Sequence, residues 1–434
     1  MTYDEALSYI WGTPSPSSDR VIILERLLSE LDNPHMGMKY VHIAGTNGKG
    51  STANFISGIL RCAGYKTGLY TSPHLSRINE RIAINGETIS DQEFAAITAQ
   101  VASAVGRLEA DGYQRPTIFG LITAVGYLYF KRKQCDIVIL ETGMGGRLDA
   151  TNVIEGTEVS VITNIGLDHT EYLGNTPELI AAEKAGIIKK GGTVVLYRQS
   201  EAVMNVIKDA CRKSGAQLLI ADGRTADIKS LTTDGAVFDF GGYENLRISL
   251  AGRYQVDNAA AAITAAEVLR QKGYAIDGLC IRQGLKTAFW PGRFELIRKE
   301  PTVIVDGTHN PQGAGALTES LELLFSGKKI IFVLGALAGK DYKGSIERTL
   351  PLAKSFYTIT ADSDRALNAN LLAEEIGRHS GIAVKAFQTI PAALDEIMAH
   401  ASIEDVICIF GTLYQVSEVR SYFGSNGDTQ QHDL

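Results

Sequence analysis

The sequence predicts an α/β protein of two successive parallel-sheet domains, the first built around a phosphate-type loop. Three observations carry that expectation. Apolar, β-branched runs alternate with helically spaced ones along most of the 434 residues, the pattern of strands covered by helices. A glycine-rich loop joins the first strong strand to a helix. The segment Trp290-Pro-Gly-Arg293 then interrupts the alternation, and a second β/α series follows it.

Taken in order, the strand 40–44 enters a loop holding Gly45, Asn47, Gly48, Lys49 and Gly50, and Ser51 and Thr52 lead into a helix over 53–61. Glycines let backbone N–H groups close around phosphate oxygens, and the helix N-terminus adds positive partial charge. Lys49 can reach outer phosphates, and a hydroxyl of Ser51 or Thr52 can face Mg²⁺. The loop is irregular: Ile43 stands where the usual spacing wants glycine, and Gly50 separates Lys49 from Ser51. An ordinary strand-to-helix turn is the alternative. A helix is expected over 118–133, and strands over 136–141, 159–164 and 193–197. Residues 221–250 read as a small β-hairpin appended to the first sheet. An alanine-rich helix is expected over 256–272, opening at Asp257-Asn258. Domains of 1–293 and 294–434 follow, the second with strands 302–306, 329–335, 355–360, 383–387 and 406–410. The polar tail 425–434 reads as frayed.

Length alone asks for more than one core. A net charge of -7 argues against a nucleic-acid binder that works by neutralising phosphates. The N-terminal residues lack a basic and an apolar segment, and no apolar run is long enough for a bilayer. A cytoplasmic protein with no membrane partner is therefore expected. The five cysteines are widely spaced without a C-x-x-C pair and read as reduced core residues.

Other constellations lie at strand ends, where open α/β sheets place ligands. The run Asp136-Ile-Val-Ile-Leu-Glu141 delivers a carboxylate suited to Mg²⁺, and Gly143, Gly145 and Gly146 let the following loop bend close to a ligand or simply turn. In Asn164-Ile-Gly-Leu-Asp-His169, His169 is either a metal ligand or a hydrogen-bonded loop histidine. Lys184 has the surroundings of a solvated helix-end lysine. Asp306 and His309, in Asp306-Gly-Thr-His-Asn-Pro311, can orient a nucleotide and steer a proton, or mark a capped helix start.

These segments together resemble folylpolyglutamate synthase, including the bifunctional dihydrofolate synthase form, within the Mur ligase superfamily. The motifs that carry the resemblance are His42-Ile-Ala-Gly-Thr-Asn-Gly-Lys-Gly-Ser-Thr52, Thr71-Ser-Pro-His-Leu75 with Asn79-Glu-Arg-Ile82, and Glu141-Thr-Gly-Met-Gly-Gly-Arg-Leu-Asp-Ala-Thr-Asn152. With them stand Asn164 to His169, Glu183-Lys-Ala-Gly-Ile187, Pro291-Gly-Arg293, Asp306 to Pro311 and Phe410-Gly-Thr-Leu-Tyr414. They span most of the chain.

The resemblance implies a Rossmann-like C-terminal glutamate-ligase domain. It implies ATP contacts from Asn47, Gly48, Lys49, Gly50, Ser51, Asn258, Arg293 and Asp306. Two Mg²⁺ ions are implied at Ser51, Ser72, Glu141, His169 and Lys184, the lysine being carbamylated. Substrate contacts fall on His74, Phe119, Leu148, Asp149, Ala150, Thr412 and Tyr414, and catalytic roles on Lys49, Lys184, Asp306 and His309. The implied activity adds L-glutamate to a reduced folate at the expense of ATP, and extends to dihydropteroate in the bifunctional form. A monomer is expected. Two departures stand out: Gly120 where the family commonly has glutamate, and Thr308 where it usually has alanine. The competing readings are a Mur-type ligase acting on another carboxylate and an ATP-gated binding protein without turnover.

Overall fold

The structure, a computed structural model, describes residues 1–13 and 20–425. The expected tail lies outside the described residues from 426 onward. The first half of the chain supplies β1 (Tyr40–Ala44), β2 (Thr67–Tyr70), β3 (Ile82–Ile84), β4 (Glu87–Thr88), β5 (Ile137–Glu141), β6 (Val159–Ile162), β7 (Thr193–Tyr197) and β8 (Gln217–Ala221). They form one sheet in the order β4-β3-β2-β5-β1-β6-β7-β8. Pairing is parallel from β2 to β8, while β3 and β4 run antiparallel at the edge. Every residue of β1, β5, β6 and β7 is buried, which is why these strands read as continuous apolar runs.

Strands β9 (Asp227–Thr232), β10 (Gly235–Phe240) and β11 (Tyr243–Ile248) form a separate antiparallel sheet. The expected hairpin is therefore a three-stranded sheet, not an extension of the first. The last group, β12 (Glu295–Arg298), β13 (Thr302–Val305), β14 (Ile330–Leu334), β15 (Ala353–Ile359), β16 (Ala383–Phe387) and β17 (Val406–Phe410), is ordered β12-β13-β17-β14-β15-β16. All its pairs are parallel except β12–β13.

The chain divides into two compact units. The first holds residues 1–165, 171–225 and 257–287; the second holds 166–170, 226–256 and everything from 288 onward. Each has its own core. Phe55, Tyr70, Phe94 and Phe130 are among the large side chains buried in the first, and Phe332, Phe356 and Phe410 in the second. The small sheet thus groups with the second unit.

Topology decides which loops become neighbours. In the first unit β1 lies between β5 and β6, so the segments leaving their C-terminal ends emerge side by side at a switch point of the sheet. In the second, β17 lies between β13 and β14, and their following loops are likewise adjacent. Among the described residues no helix is long and apolar enough to cross a membrane.

Candidate active site

The loop after β1 is held by close backbone approaches that only glycine permits. A Cβ on Gly45 would lie 1.8 Å from Thr163 Oγ1, and one on Gly48 would lie 2.3 Å from Asn258 Oδ1. Gly48 also has φ +88°, a conformation costly for side-chain-bearing residues. Thr46 N donates to the Asn164 carbonyl at 2.7 Å, and Thr163 Oγ1 donates to the Asn47 carbonyl at 2.8 Å. The loop is thereby pinned to the segment after β6.

The helix begins at Lys49, not at Ala53, and runs Lys49–Cys62. Gly50 and the buried Ser51 consequently lie in its first turn, whose N–H groups have no intrahelical acceptors. The inserted Gly50 is thus part of an anion-ready helix start. Asn258 also differs from expectation. The alanine-rich helix starts earlier, at Arg253, and ends at Gln271, so Asn258 sits inside it. Its Oδ1 lies against Gly48 and accepts from Tyr197 Oη at 3.3 Å.

Register brings Ile43 of β1 beside Glu141 of β5. The Glu141 Oε1 is 3.8 Å from Lys49 Nζ, and its Oε2 accepts from Ser72 N at 3.2 Å. Lys49 Nζ also lies 3.4 Å from the Thr46 carbonyl. Around this pair the Thr52 and Thr142 hydroxyls and Asn164 Oδ1 are buried without a hydrogen-bond partner. Buried polar atoms of that kind are expensive unless something pairs with them.

Those atoms test the fit of Mg²⁺. Among the described residues no three His, Cys, Asp or Glu side chains gather to hold a metal ion. The donors offered here are oxygens: the Glu141 carboxylate, with Ser72 bonded to it through its backbone N–H, and the unpartnered Thr52 and Thr142 hydroxyls and Asn164 Oδ1. Mg²⁺ prefers oxygen, binds through one or two carboxylates and retains waters and phosphate ligands. The residues fit such an ion. His169, expected in the same set, belongs to the second unit.

Lys184 overturns the surface reading. It ends the helix Pro177–Lys184, is 3% exposed, and its Nζ donates to the Gly45 carbonyl at 2.7 Å. Room for it depends on glycines. A Cβ on Gly146 would lie 2.9 Å from the Lys184 carbonyl, and one on Gly186 would lie 2.3 Å from Arg147 Cα. Arg147 closes the contact, with its N–H on the Glu183 carbonyl and its guanidinium on the Glu183 carboxylate, both at 2.8 Å.

The segment after β5 holds three of the expected substrate contacts, Leu148, Asp149 and Ala150. Asp149 and Ala150 are buried and Leu148 is 59% exposed. The Asp149 carboxylate accepts from Met144 N at 2.9 Å, from Thr151 N at 3.0 Å and from Thr151 Oγ1 at 2.6 Å. Thr151 Oγ1 lies 2.8 Å from His42 Nε2. Because that hydroxyl gives its proton to Asp149, His42 donates through Nε2, and its buried Nδ1 has no partner. Burial pushes the Asp149 carboxyl up, against the hydrogen bonds from Thr151, Met144 and Gly143. Burial lowers His42 to about 3, with Lys189 adding to the shift. Phe119 packs on Tyr70 with ring centroids 6.0 Å apart, and a Cβ on Gly143 would lie 2.7 Å from its ring. His74 accepts from Arg81 Nε at 2.9 Å, and burial followed by the Arg81 charge lowers it to about 4.

In the second unit Asp306 follows β13 and is buried. Its Oδ2 accepts from Tyr254 Oη and Phe294 N, each at 2.7 Å, and its Oδ1 accepts from Thr308 N at 2.8 Å. Asp306 and His309 are therefore not partners. His309 Nδ1 lies 2.9 Å from the Gly307 carbonyl, and its Nε2 lies 3.4 Å from Asp168 Oδ2. The helix cap is Asn310, whose Oδ1 accepts from Gly313 N at 2.8 Å. Arg293 approaches so closely that a Cβ on Gly307 would be 2.3 Å from its Nη1. Thr412 is buried and accepts from Tyr414 N at 3.3 Å, while Tyr414 is 41% exposed.

Asp168 and Lys340 are functional candidates that the sequence reading missed. Asp168 Oδ1 is 2.6 Å from Lys340 Nζ, which also donates to His169 Nε2 at 3.2 Å. Asn310 Nδ2 donates to Asp168 Oδ2 at 3.4 Å. Burial pushes the Asp168 carboxyl up, yet the His309 hydrogen bond and the Lys340 charge outweigh it and hold the group far below the usual carboxylate range. A signal existed. Lys340 stands in the loop leaving β14, in Ala338-Gly-Lys-Asp341, a strand-end cation comparable to Lys49 after β1.

Comparison with known proteins follows the same geography. The Mur ligase middle domain family matches residues 43–266, and the Mur ligase glutamate ligase domain family matches residues 292–413. The chain is 37% identical over 430 residues to the dihydrofolate synthase/folylpolyglutamate synthase of Bacillus subtilis, covering 96% of this chain and 98% of that protein. It is 38% identical over 435 residues to the folylpolyglutamate synthase of Lacticaseibacillus casei, covering 97% and 98%. The solved structure of Mycobacterium tuberculosis folylpolyglutamate synthase complexed with ADP superposes with a TM-score of 0.89 at 30% identity, covering 99% of each chain.

Proposed function

We infer the activity from one premise: the chain belongs to the Mur ligase family, and within it to the folylpolyglutamate synthase/dihydrofolate synthase enzymes. It is an ATP-dependent ligase of folate metabolism that joins glutamate to a folate carboxylate. The observation that carries the site assignment is the pairing of Lys49 with Glu141 at 3.8 Å above a glycine-rich helix start.

The glutamyl carboxylate of the folate attacks the γ-phosphate of ATP and becomes an acyl phosphate. The amine of incoming L-glutamate attacks that carbonyl, and phosphate leaves. The N–H groups of Gly48 to Ser51 cradle phosphate oxygens, and Lys49 offsets charge on the transferring group. Mg²⁺, held through Glu141, Ser51 and Ser72, would supply electrostatic stabilisation of the phosphates. Asn258 orients the nucleotide end of the loop. Asp306 and Arg293 contribute further ATP contacts, and His309, steadied by Asp168, handles a proton near the amine. Phe119, Leu148, Asp149, Ala150 and His74 face the folate; Thr412 and Tyr414 face the glutamate.

Lys184 carries a carbamate in this reading. The buried amine is the group that would take up CO₂, and the resulting anion suits a second Mg²⁺. Dihydropteroate is a second acceptor, and the working form is a monomer.

One assay tests the whole. ATP, Mg²⁺, glutamate and a reduced folate should yield ADP, phosphate and an extended folate, and dihydropteroate should yield dihydrofolate. ADP release that never depends on glutamate would sink the ligase assignment. For Lys184, intact-mass or crystallographic inspection for the carbamate is decisive; a free amine in the active, Mg²⁺-loaded enzyme would remove it.

A further inference from the structure

The helices Lys49–Cys62 and Gly278–Lys286 make backbone contact where two glycines meet. A Cβ on Gly58 would lie 2.7 Å from the Gly284 carbonyl, and one on Gly284 would lie 2.3 Å from Ile59 N. Such approaches occur only where neither helix presents a side chain. One turn beyond Gly58 stands Cys62, and one turn before Gly284 stands Cys280. The end of the first helix meets the start of the second: Ala275 N donates to Tyr65 Oη at 2.8 Å, and the Tyr65 and Tyr274 ring centroids are 5.2 Å apart. The helices therefore run antiparallel, and these positions face each other. The Cys62 thiol is accordingly close enough to help raise that of Cys280. Cys62 is exposed, against the expectation that all five cysteines lie in the core, while Cys280 is buried.

We propose that Cys62 and Cys280 are a reversible thiol-modification site that takes low-molecular-weight disulfides and peroxides and closes to an intramolecular disulfide. The exposed thiolate reacts first. With a disulfide RSSR, the Cys62 sulfur bonds to one sulfur, the S–S bond breaks and RS⁻ leaves. The Cys280 thiol then loses its proton, its sulfur attacks Cys62 Sγ, and a second RS⁻ departs. With a peroxide ROOH, Cys62 becomes a sulfenic acid as the O–O bond breaks and ROH forms; Cys280 displaces water from it. In both cases two thiols are oxidised and one reagent molecule is reduced. Burial, then the neighbouring Asp277 and Cys62 side chains, push Cys280 up to about 11; it is the partner that closes the bond, not the one that opens the sequence.

The site has a mechanical meaning. The helix that ends at Cys62 begins at Lys49, in the nucleotide loop. A bond at its last turn fixes that helix to its neighbour.

The test uses the full-length native protein treated with oxidised glutathione or hydrogen peroxide, then alkylated and digested without reductant. A Cys62–Cys280 cross-linked peptide should appear, should vanish after dithiol treatment, and should raise the thermal midpoint of the treated protein. In Cys280→Ser, glutathione should remain on Cys62, and peroxide should carry Cys62 to sulfinic and sulfonic acids that dithiol does not reverse. In Cys62→Ser, Cys280 should stay unmodified in the folded protein. The proposal is overturned if wild-type protein accumulates glutathionylated Cys62 beside free Cys280, or if both thiols resist either reagent while a surface-cysteine control reacts.

Discussion

Two strand-end regions of this protein solve the problem of buried polarity in opposite ways. The strand ends of β1, β5 and β6 are under-satisfied: Thr52 and Thr142 hydroxyls and Asn164 Oδ1 are buried without partners, and the Lys49–Glu141 contact is a loose 3.8 Å. The loop after β13 is over-determined: Asp306 accepts three hydrogen bonds, and Asp168 gathers Lys340, His309 and Asn310. The contrast separates a mould from a brace. A mould leaves donors and acceptors aimed at something that arrives later, whereas a brace spends them on its own neighbours. Function and stability should therefore respond differently to mutation in the two places.

The sharpest way to break the contrast is Lys49→Ala. Loss of one preorganised charge at the phosphates should cut turnover about 1,000-fold, equivalent to roughly 4 kcal/mol, while the melting curve barely moves. ADP release and calorimetry on the same sample decide it; a large drop in stability would make the loop a brace as well. Asp168→Asn should register first in stability. Removing a mostly buried anion from Lys340 and His309 should cost roughly 3 kcal/mol of stability, read by denaturant unfolding. An unchanged midpoint would show the second region to be as loose as the first.

Acid provides the third probe, and the sign favours the first unit as the weak point. His42 sits at about 3 and His74 at about 4, below the ordinary 6.5. Between pH 6.5 and 5 the unfolded chain binds a proton at each while the folded chain does not, so stability falls as pH falls. For the fully buried His42 the loss is roughly 2 kcal/mol by pH 5, with His74 adding less. The Asp168 carboxyl is depressed, so its contribution is present above the unfolded carboxylate range and survives this window. Flat stability from pH 7 to 5 would contradict the burial of His42. The smallest effect is expected at Thr151. Thr151→Val should lose about 1 kcal/mol through the stranded Asp149 and His42 groups, and Thr151→Ser should restore it. Equal melting of the two variants would leave the Asp149–Thr151–His42 hydrogen bonds without energetic weight.

How much of this was legible in the sequence depends on whether a feature is local. Buried parallel strands announce themselves as apolar, β-branched runs, and β1, β5, β7 and β17 lie where those runs are. Short or half-exposed strands such as β4, β8 and β9 carry no such run, because their faces are largely solvated. Lys184 was illegible for another reason. Its burial is created by Gly146 and Gly186, distant glycines that let two loops touch, and no property of the lysine's own neighbours reports that. Asp168 and Lys340 are far apart in sequence and meaningful only as a pair. The resemblance to a known family supplied roles for Lys184 and His169, but it said nothing about the brace.

The five residues 166–170 belong to the second unit although first-unit residues flank them on both sides. A C-terminal fragment cut at 288 would therefore be born without Asp168, leaving Lys340 and His309 without their shared counter-charge. Anyone expressing the units separately should treat this chain as braided in sequence. The pieces worth grafting onto such a fragment are the short Gly166–Thr170 segment and Ala226–Val256, which belong to the same unit.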